Sequence, residues 1–123
     1  MKFRDYISND IHTAEDHYIV SLRTRYYRST KANAIEKIKG IVNRIKGQIK
    51  HLDLERGEIY FETVKFSSTI SVVSTSYTET AIDINMTTYS VLPLGKGKKE
   101  IEKLYEMIDK ELQFIGVSLF KGR

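Results

Sequence analysis

The sequence predicts an α+β domain, in which a single antiparallel sheet of about five strands carries two helices on one face. Two segments have apolar residues at spacings of three and four, which is typical of amphipathic helices. Between them, runs rich in Val, Ile, Thr, Tyr and Phe follow one another with only short turns, which is typical of an antiparallel meander. A chain of 123 residues without cysteine suits a single core, so we expect one domain over residues 1–123.

The first predicted elements are a strand and a helix. Residues 18–28 alternate in the manner of a strand, and Thr30 or Asn33 can then cap a helix, with Glu36 as a capping-box partner of Asn33. An apolar stripe along this helix comprises Ile35, Ile38, Ile41, Val42, Ile45 and Ile49. Residues 1–15 are uncertain, although Phe3, Tyr6, Ile7 and Ile11 would suit one short amphipathic helix.

Four strands and a second helix follow. The strands are expected at about 49–55, 58–66, 69–77 and 80–91, with turns at Arg56-Gly57, Ser67-Ser68 and Thr78-Glu79, and Pro93 ends the last strand. The second helix is expected over 98–113, and its apolar face comprises Ile101, Leu104, Tyr105, Ile108 and Leu112. The tail from Ile115 to Phe120 is apolar and is expected to pack, as a short strand.

The predicted element order is strand, helix, four strands, helix. This order resembles the repeat unit of TATA-binding-like folds, in which a curved sheet carries two helices on its convex side. The resemblance concerns architecture alone and therefore implies nothing about function.

Four segments are similar to segments of small, uncharacterised bacterial cytosolic proteins. They are RYYRSTKANAI at 25–35, LERGEI at 54–59, TAID at 80–83 and IEKLYEMIDKEL at 101–112. This resemblance implies a cytosolic location and no particular activity.

Charge and composition narrow the classes of function. The net charge is +4, and residues 31–50 carry six Lys or Arg against Glu36, whereas residues 51–95 carry two basic residues against six acids. Basic charge is therefore expected on the helices and acidic charge on the strands. Acidic residues stand where a signal peptide needs an apolar core, and no apolar run approaches the roughly 20 residues of a membrane span. We expect a cytoplasmic protein that does not enter a membrane.

The stretch 92–101, LPLGKGKKEI, superficially looks like a phosphate-binding loop. A P-loop needs Gly, four residues, then Gly-Lys-Ser/Thr, and here the spacing is wrong and Lys99 follows Lys98. Lysines at a helix start oppose the helix dipole, yet free backbone N–H groups beside them could hold an anion. Gly97, Lys98 and Lys99 are therefore a candidate anion site, and an exposed basic turn without a ligand is the alternative.

The sheet face turned away from the helices is the second candidate site. If Ile59, Phe61 and Ile70 face the helices, the other face displays aromatic and basic side chains, and the candidate binding residues are Arg23, Arg25, Tyr27, Tyr60, Tyr77 and Tyr89. Such a face can be plainly solvated, can serve self-association, or can stack single-stranded nucleic acid. Glu62 and Asp83 share this face and would repel phosphate, which disfavours nucleic acid.

Sequence motifs give little support to catalysis or cofactor binding. His12, His17 and His51 lack the spacing of a zinc site, and we expect no metal and no cofactor. No catalytic residue is assigned, so enzymatic activity stays undecided and is not favoured. We expect an interaction module of unknown biochemical role that acts through the open sheet, in a homodimer or with a protein partner. The stripe of Asn33, Gly40 and Gly47 is expected opposite the apolar stripe, where it could admit another helix closely, and a weak helix without a contact there is the alternative. Weak nucleic-acid or anion binding by basic helix surfaces is the alternative function.

Overall fold

Both helices lie on one face of a continuous antiparallel sheet, as the hydrophobic patterns predict. The computed structural model describes residues 10–89 and 95–117. The helices are α1, Lys31–Arg44, and α2, Lys96–Glu111. The strands are β1 (Asp10–His12), β2 (Arg25–Arg28), β3 (Gln48–Asp53), β4 (Glu58–Glu62), β5 (Phe66–Ser76), β6 (Glu79–Thr88) and β7 (Gln113–Val117).

The sheet contains more strands than the sequence predicts. In the described ranges it has seven, in the spatial order β3-β4-β5-β6-β2-β7, with β1 also paired to β6. The prediction of about five strands in a TATA-binding-like order is therefore incomplete, because β1 precedes that unit and β7 follows it. The predicted tail strand starts earlier than expected, at Gln113, because Leu112 adopts an extended conformation directly after α2. Residues 118–120 lie outside the described ranges.

The core forms where the helices cover the meander. Ile59, Ile70 and Ile84 lie side by side across three strands and are fully buried. Ile38 of α1 and Ile108 of α2 complete the core from above. Burial of such a side chain stabilises the fold by about 1.5–3 kcal/mol, so this layer fixes the positions of both helices on the sheet.

Helix α1 has Thr30, one of the two predicted capping residues, as its N-cap. The hydroxyl of Thr30 accepts the backbone N–H of Asn33 at 3.2 Å, which satisfies one of the free donors at the helix start. The helix ends at Arg44, and Ile45, predicted to be buried in the stripe, is its partly buried C-cap. Lys46 then takes a left-handed conformation with φ 62°, and the chain reverses into β3. Ile49 therefore belongs to β3 and not to the helix.

The segment before α1 departs most from the prediction. The predicted strand over 18–28 is wrong for its first half, where Val20–Leu22 is a 3-10 turn and only Arg25–Arg28 is a strand. The reason is that β1 occupies the same edge of β6 as β2, so the intervening residues loop out. A helix that includes Ile11 is also wrong, since Ile11 pairs with Met86 in the sheet. Phe3, Tyr6 and Ile7 of that predicted helix lie outside the described residues.

The loop between β1 and β2 is fastened to β6 through Asp83. The hydroxyls of Thr13 and Thr24 each donate to Oδ1 of this carboxylate at 2.6 Å. The Thr13 hydroxyl also accepts the backbone N–H of Ile84 at 2.9 Å, and the Tyr105 hydroxyl donates to the carbonyl of Ile82 at 2.8 Å. These bonds satisfy polar groups at the point where β1 and β2 leave a gap along β6.

One predicted turn is displaced. Ser67-Ser68 was expected to turn between two strands, but both residues lie in β5 and pair with Glu62 and Phe61 of β4. The turn instead occupies 63–65, where the Thr63 hydroxyl accepts the backbone N–H of Lys65 and of Phe66, each at 3.1 Å. A threonine that binds the backbone locally competes with continuation of the strand, which explains the earlier turn. Pro93, expected to end the last strand, lies outside the described ranges.

Candidate functional site

The sheet face opposite the helices, which we call the open face, is centred on one row of paired residues. Across five strands this row runs His51, Tyr60, Thr69, Asn85 and His12. In β4 the flanking Ile59 and Phe61 point to the helices and are fully buried, so the alternation predicted for this strand is confirmed. Within the described ranges, no helix lies over this row, because both helices pack on the opposite face of the sheet.

Three of the six predicted open-face residues are accessible, but they do not form one cluster. Tyr60 lies in the row on β4, and its hydroxyl donates to Oε2 of Glu62 at 3.0 Å. Tyr77 is 87% exposed at the turn before β6, and Tyr89 is 52% exposed just after that strand. At roughly 3.3 Å per residue these two tyrosines are about 35–40 Å apart, too far for adjacent stacking on one ligand.

Arg25 and Tyr27 are not on the open face, and their predicted placement is wrong. Arg25 pairs with Ile82 and Tyr27 pairs with Thr80, whose side chains point towards the helices. Tyr27 is fully buried, and its hydroxyl donates to Oδ1 of Asp109 in α2 at 2.6 Å. The error is one of strand phase, because the alternation was continued through residues 18–24, which form no strand.

These two side chains form a cluster with Asp109 that fastens α2 to the sheet. Nη2 of Arg25 lies 2.7 Å from Oδ2 of Asp109, and its guanidinium stands 3.9 Å over the ring of Phe114. Burial, reinforced by the neighbouring Asp109 carboxylate, raises the pKa of the Tyr27 phenol well above its ordinary value. The carboxylate of Asp109 thus accepts from both Arg25 and Tyr27, so the cluster joins α2 to β2.

Arg23, the sixth predicted residue, also lies away from the centre of the open face. It belongs to the loop between β1 and β2, where its Nε donates to the carbonyl oxygen of His17 at 2.8 Å. Its backbone forms an isolated bridge with Ala14. Arg23 therefore holds the loop together.

The three residues of the predicted anion site, Gly97, Lys98 and Lys99, lie in three different environments. Gly97 is buried, and a Cβ at this position would lie 2.6 Å from Cγ2 of Ile11, so glycine permits α2 to approach β1 closely. Lys98 pairs with Glu102, with 2.8 Å between Nζ and Oε2, and this contact lowers the pKa of the Glu102 carboxyl. Lys99 alone faces a cavity. The leucine and proline that open the LPLGKGKKEI stretch are outside the described residues.

The cavity beside Lys99, which we call the lysine cavity, has a volume of about 570 Å³. It lies between the turn after β4, the end of β6 and the first half of α2, and it is lined by Val64, Lys65, Thr88, Tyr89, Lys96, Lys99, Glu100 and Lys103. Sequence analysis did not identify Lys65 and Lys103 as site residues. The spacing of Lys96, Lys99 and Lys103 by three and four residues could have shown that they share a helix face.

Groups suited to metal binding or membrane crossing are absent from the described ranges. No three His, Cys, Asp or Glu side chains there come close enough to hold a metal ion. No helix within 10–89 or 95–117 is both long and apolar enough to cross a membrane.

Comparison with known proteins adds no family assignment. The chain matches no protein-family model, and no curated protein matches it significantly in sequence.

Proposed function

We propose that this chain is a non-enzymatic interaction module that binds another protein through the open face, with a second copy of the chain as partner. The observation that carries the proposal is the uncovered row from His51 to His12, which spans five strands. It presents Tyr60 beside its middle residue, Thr69, and tyrosine is enriched in protein interfaces.

The charges around Tyr60 favour a protein partner over nucleic acid. Glu58 and Glu62 flank Tyr60 on the same face of β4, and Asp53 lies directly opposite Glu58. These carboxylates would repel a phosphate backbone.

Sedimentation equilibrium of the wild type and of variants over a range of concentrations tests this proposal. The wild type should show a concentration-dependent mass that rises towards a dimer. Tyr60→Ala combined with Thr69→Arg should stay monomeric, because the change removes the aromatic ring of the row and places a bulky cation at its middle position. Added salt should not weaken this dimer, because it screens the repulsion between the carboxylates around Tyr60 in the two copies.

Tyr18→Ala is the matched control, because Tyr18 is 70% exposed on the loop between β1 and β2 and does not belong to the row. This variant should associate like the wild type. A wild-type chain that stays monomeric at high concentration would contradict the proposal, as would a double variant that dimerises normally. Steeply salt-dependent binding of a single-stranded oligonucleotide, weakened by Tyr60→Ala alone, would instead identify the open face as a nucleic-acid surface.

A further inference from the structure

The lysine cavity continues into a second cavity with a different lining. The second cavity has a volume of about 220 Å³ and shares Val64, Lys65, Glu100 and Lys103 with the first. It extends beneath the turn after β4 towards the end of α1. Ligand sites for small molecules typically have volumes of roughly 300–1,000 Å³, so the two cavities together are of suitable size.

The outer part of this groove is strongly basic. Four lysines and one glutamate line the lysine cavity, and the lysines come from two separate segments, Lys65 from the turn and the others from α2. None of these four ammonium groups has an ion-pair partner within residues 10–89 and 95–117. A concave surface lined by charges of one sign concentrates its field and attracts counter-ions.

These cations are not explained by the stability of the helix. Lys96 and Lys99 lie in the first turn of α2, which contains no acidic residue, and cations there oppose the helix dipole. Lys98 shows the alternative arrangement, since Glu102 neutralises it one turn later. The groove thus keeps an unpaired positive charge that the fold itself does not use.

The inner part of the groove is apolar. Phe66 and Leu104 form its buried floor, while Ile45 and Met107 are only partly covered. At the junction of the two cavities, the side chain of Val64 is 95% exposed. Methionine adapts to ligands of irregular shape, and an exposed valine gains stability when a ligand covers it. The groove therefore changes from basic to apolar along its length.

We propose that this groove binds an anionic amphiphile with a single apolar chain, of the fatty-acid type. The carboxylate lies among Lys65, Lys99 and Lys103, and the chain extends past Val64 over Phe66 and Met107. Free phosphate would leave the apolar part empty. A nucleic-acid strand requires a track of cations along the surface, whereas these lysines converge on one concavity.

Isothermal titration calorimetry with dodecanoate, below the concentration at which it forms micelles, tests the inference. We expect saturable binding of one dodecanoate per chain, which weakens as salt is added because charge attraction is screened. The double variant Lys99→Gln/Lys103→Gln should bind at least about tenfold more weakly, since hydrogen bonds to a charged group are lost. In NMR spectra of the wild type, dodecanoate should shift the signals of Val64 and Met107.

Three comparisons make this result specific. Lys98→Gln removes one charge from the turn that holds Lys99, but from an ammonium that Glu102 already pairs, so it should change dodecanoate affinity less than about threefold. Met107→Glu places a carboxylate in the apolar part and should weaken binding strongly, while circular dichroism confirms that the variant is folded. Tyr60→Ala should leave dodecanoate binding unchanged, so the groove and the open face are tested independently.

Several outcomes would overturn the proposal. Dodecan-1-ol binding as tightly as dodecanoate would show that the lysines do not select an anion. Inorganic phosphate binding as tightly would show that the apolar part is irrelevant. An absence of saturable dodecanoate binding, or equal losses in the double variant and in Lys98→Gln, would also exclude this groove as the site.

Discussion

The two ends of helix α2 carry opposite charges and use them differently. Cations lie at its first turns and acids at its last turn, and both arrangements oppose the helix dipole. At the C-terminal end Asp109 pairs with Arg25, and Glu111 lies 3.2 Å from Arg44. At the N-terminal end Lys96 and Lys99 have no such partner in the described part of the chain. Charge at one end fastens the helix, and charge at the other end has no ion-pair partner in the described residues.

The largest expected effect comes from the fastened end. Asp109→Ala leaves the Arg25 guanidinium, with 17% of its side chain exposed, and the buried Tyr27 hydroxyl without their acceptor. We expect the free energy of unfolding to fall by about 1–3 kcal/mol, since solvent partly relieves a group that is not fully buried. Urea denaturation measures this loss.

Glu111→Ala is the control for that change, because it removes an acid of the same turn whose partners Lys37 and Arg44 are about half exposed. It should cost less than about 1 kcal/mol. Equal losses in the two variants would remove the distinction between the buried cluster and an ordinary surface pair.

The next effect concerns the glycine that seats the N-terminal end of α2 on β1. Gly97→Ala places a Cβ 2.6 Å from Ile11, so either α2 or β1 must shift. We expect a loss of about 1–3 kcal/mol, as in other overpacked sites. Thermal and urea unfolding of the variant measure the loss.

Gly40→Ala is the matched substitution in α1, where no atom lies within 4 Å of the added Cβ. It should stabilise the fold by about 0.5–1 kcal/mol, because alanine has the higher helix propensity. A dimer weakened by Gly40→Ala would support the hypothesis that Asn33, Gly40 and Gly47 form a contact surface.

Gly47 itself lies after the end of α1 and packs near Val42 and Phe61. A Gly97→Ala variant of unchanged stability would show that α2 is not seated closely on β1.

The smallest effect is a gain. Lys96→Gln removes an unpaired cation from the first turn of α2, which should raise the free energy of unfolding by about 0.3–1 kcal/mol in ligand-free protein. Lys98→Gln should give no comparable gain, because it also removes the contact with Glu102. Thermal unfolding at low salt compares the two. If Lys96→Gln destabilises the protein, Lys96 has a structural role and the two ends of α2 are less different than we infer.

Local sequence patterns predicted the helices and the meander, but not the contacts between distant segments. The stripe from Ile35 to Val42 and the alternation around Ile59 and Phe61 depend on neighbouring residues only, and both are confirmed. The phase of β2 depends on the loop that precedes it and on Asp109, which is 84 residues away from Arg25. No periodicity in 18–28 carries that information.

For the candidate sites too, local patterns could be predicted from the sequence and contacts between distant segments could not. Lys99 could be named from the sequence, because it stands beside a predicted helix start. Lys65 could not be joined to it, since only the packing of the β4–β5 turn against α2 brings the two to one cavity. Gly97 and Lys98 were grouped with Lys99 by adjacency, although successive helical residues point in different directions.

Strand β2 can be fully paired only after β7 has been synthesised, because the two strands are neighbours in the sheet. The hairpins from β3 to β6 join strands that are neighbours in the chain, so they require no later residue. Strand β2 pairs with β6 on one side and with β7 on the other, and Arg25 lies opposite Val117. A nascent chain that stops before β7 therefore exposes one edge of β2. Such unpaired edges promote aggregation, so the ribosome must release the chain as far as β7 before this edge is covered.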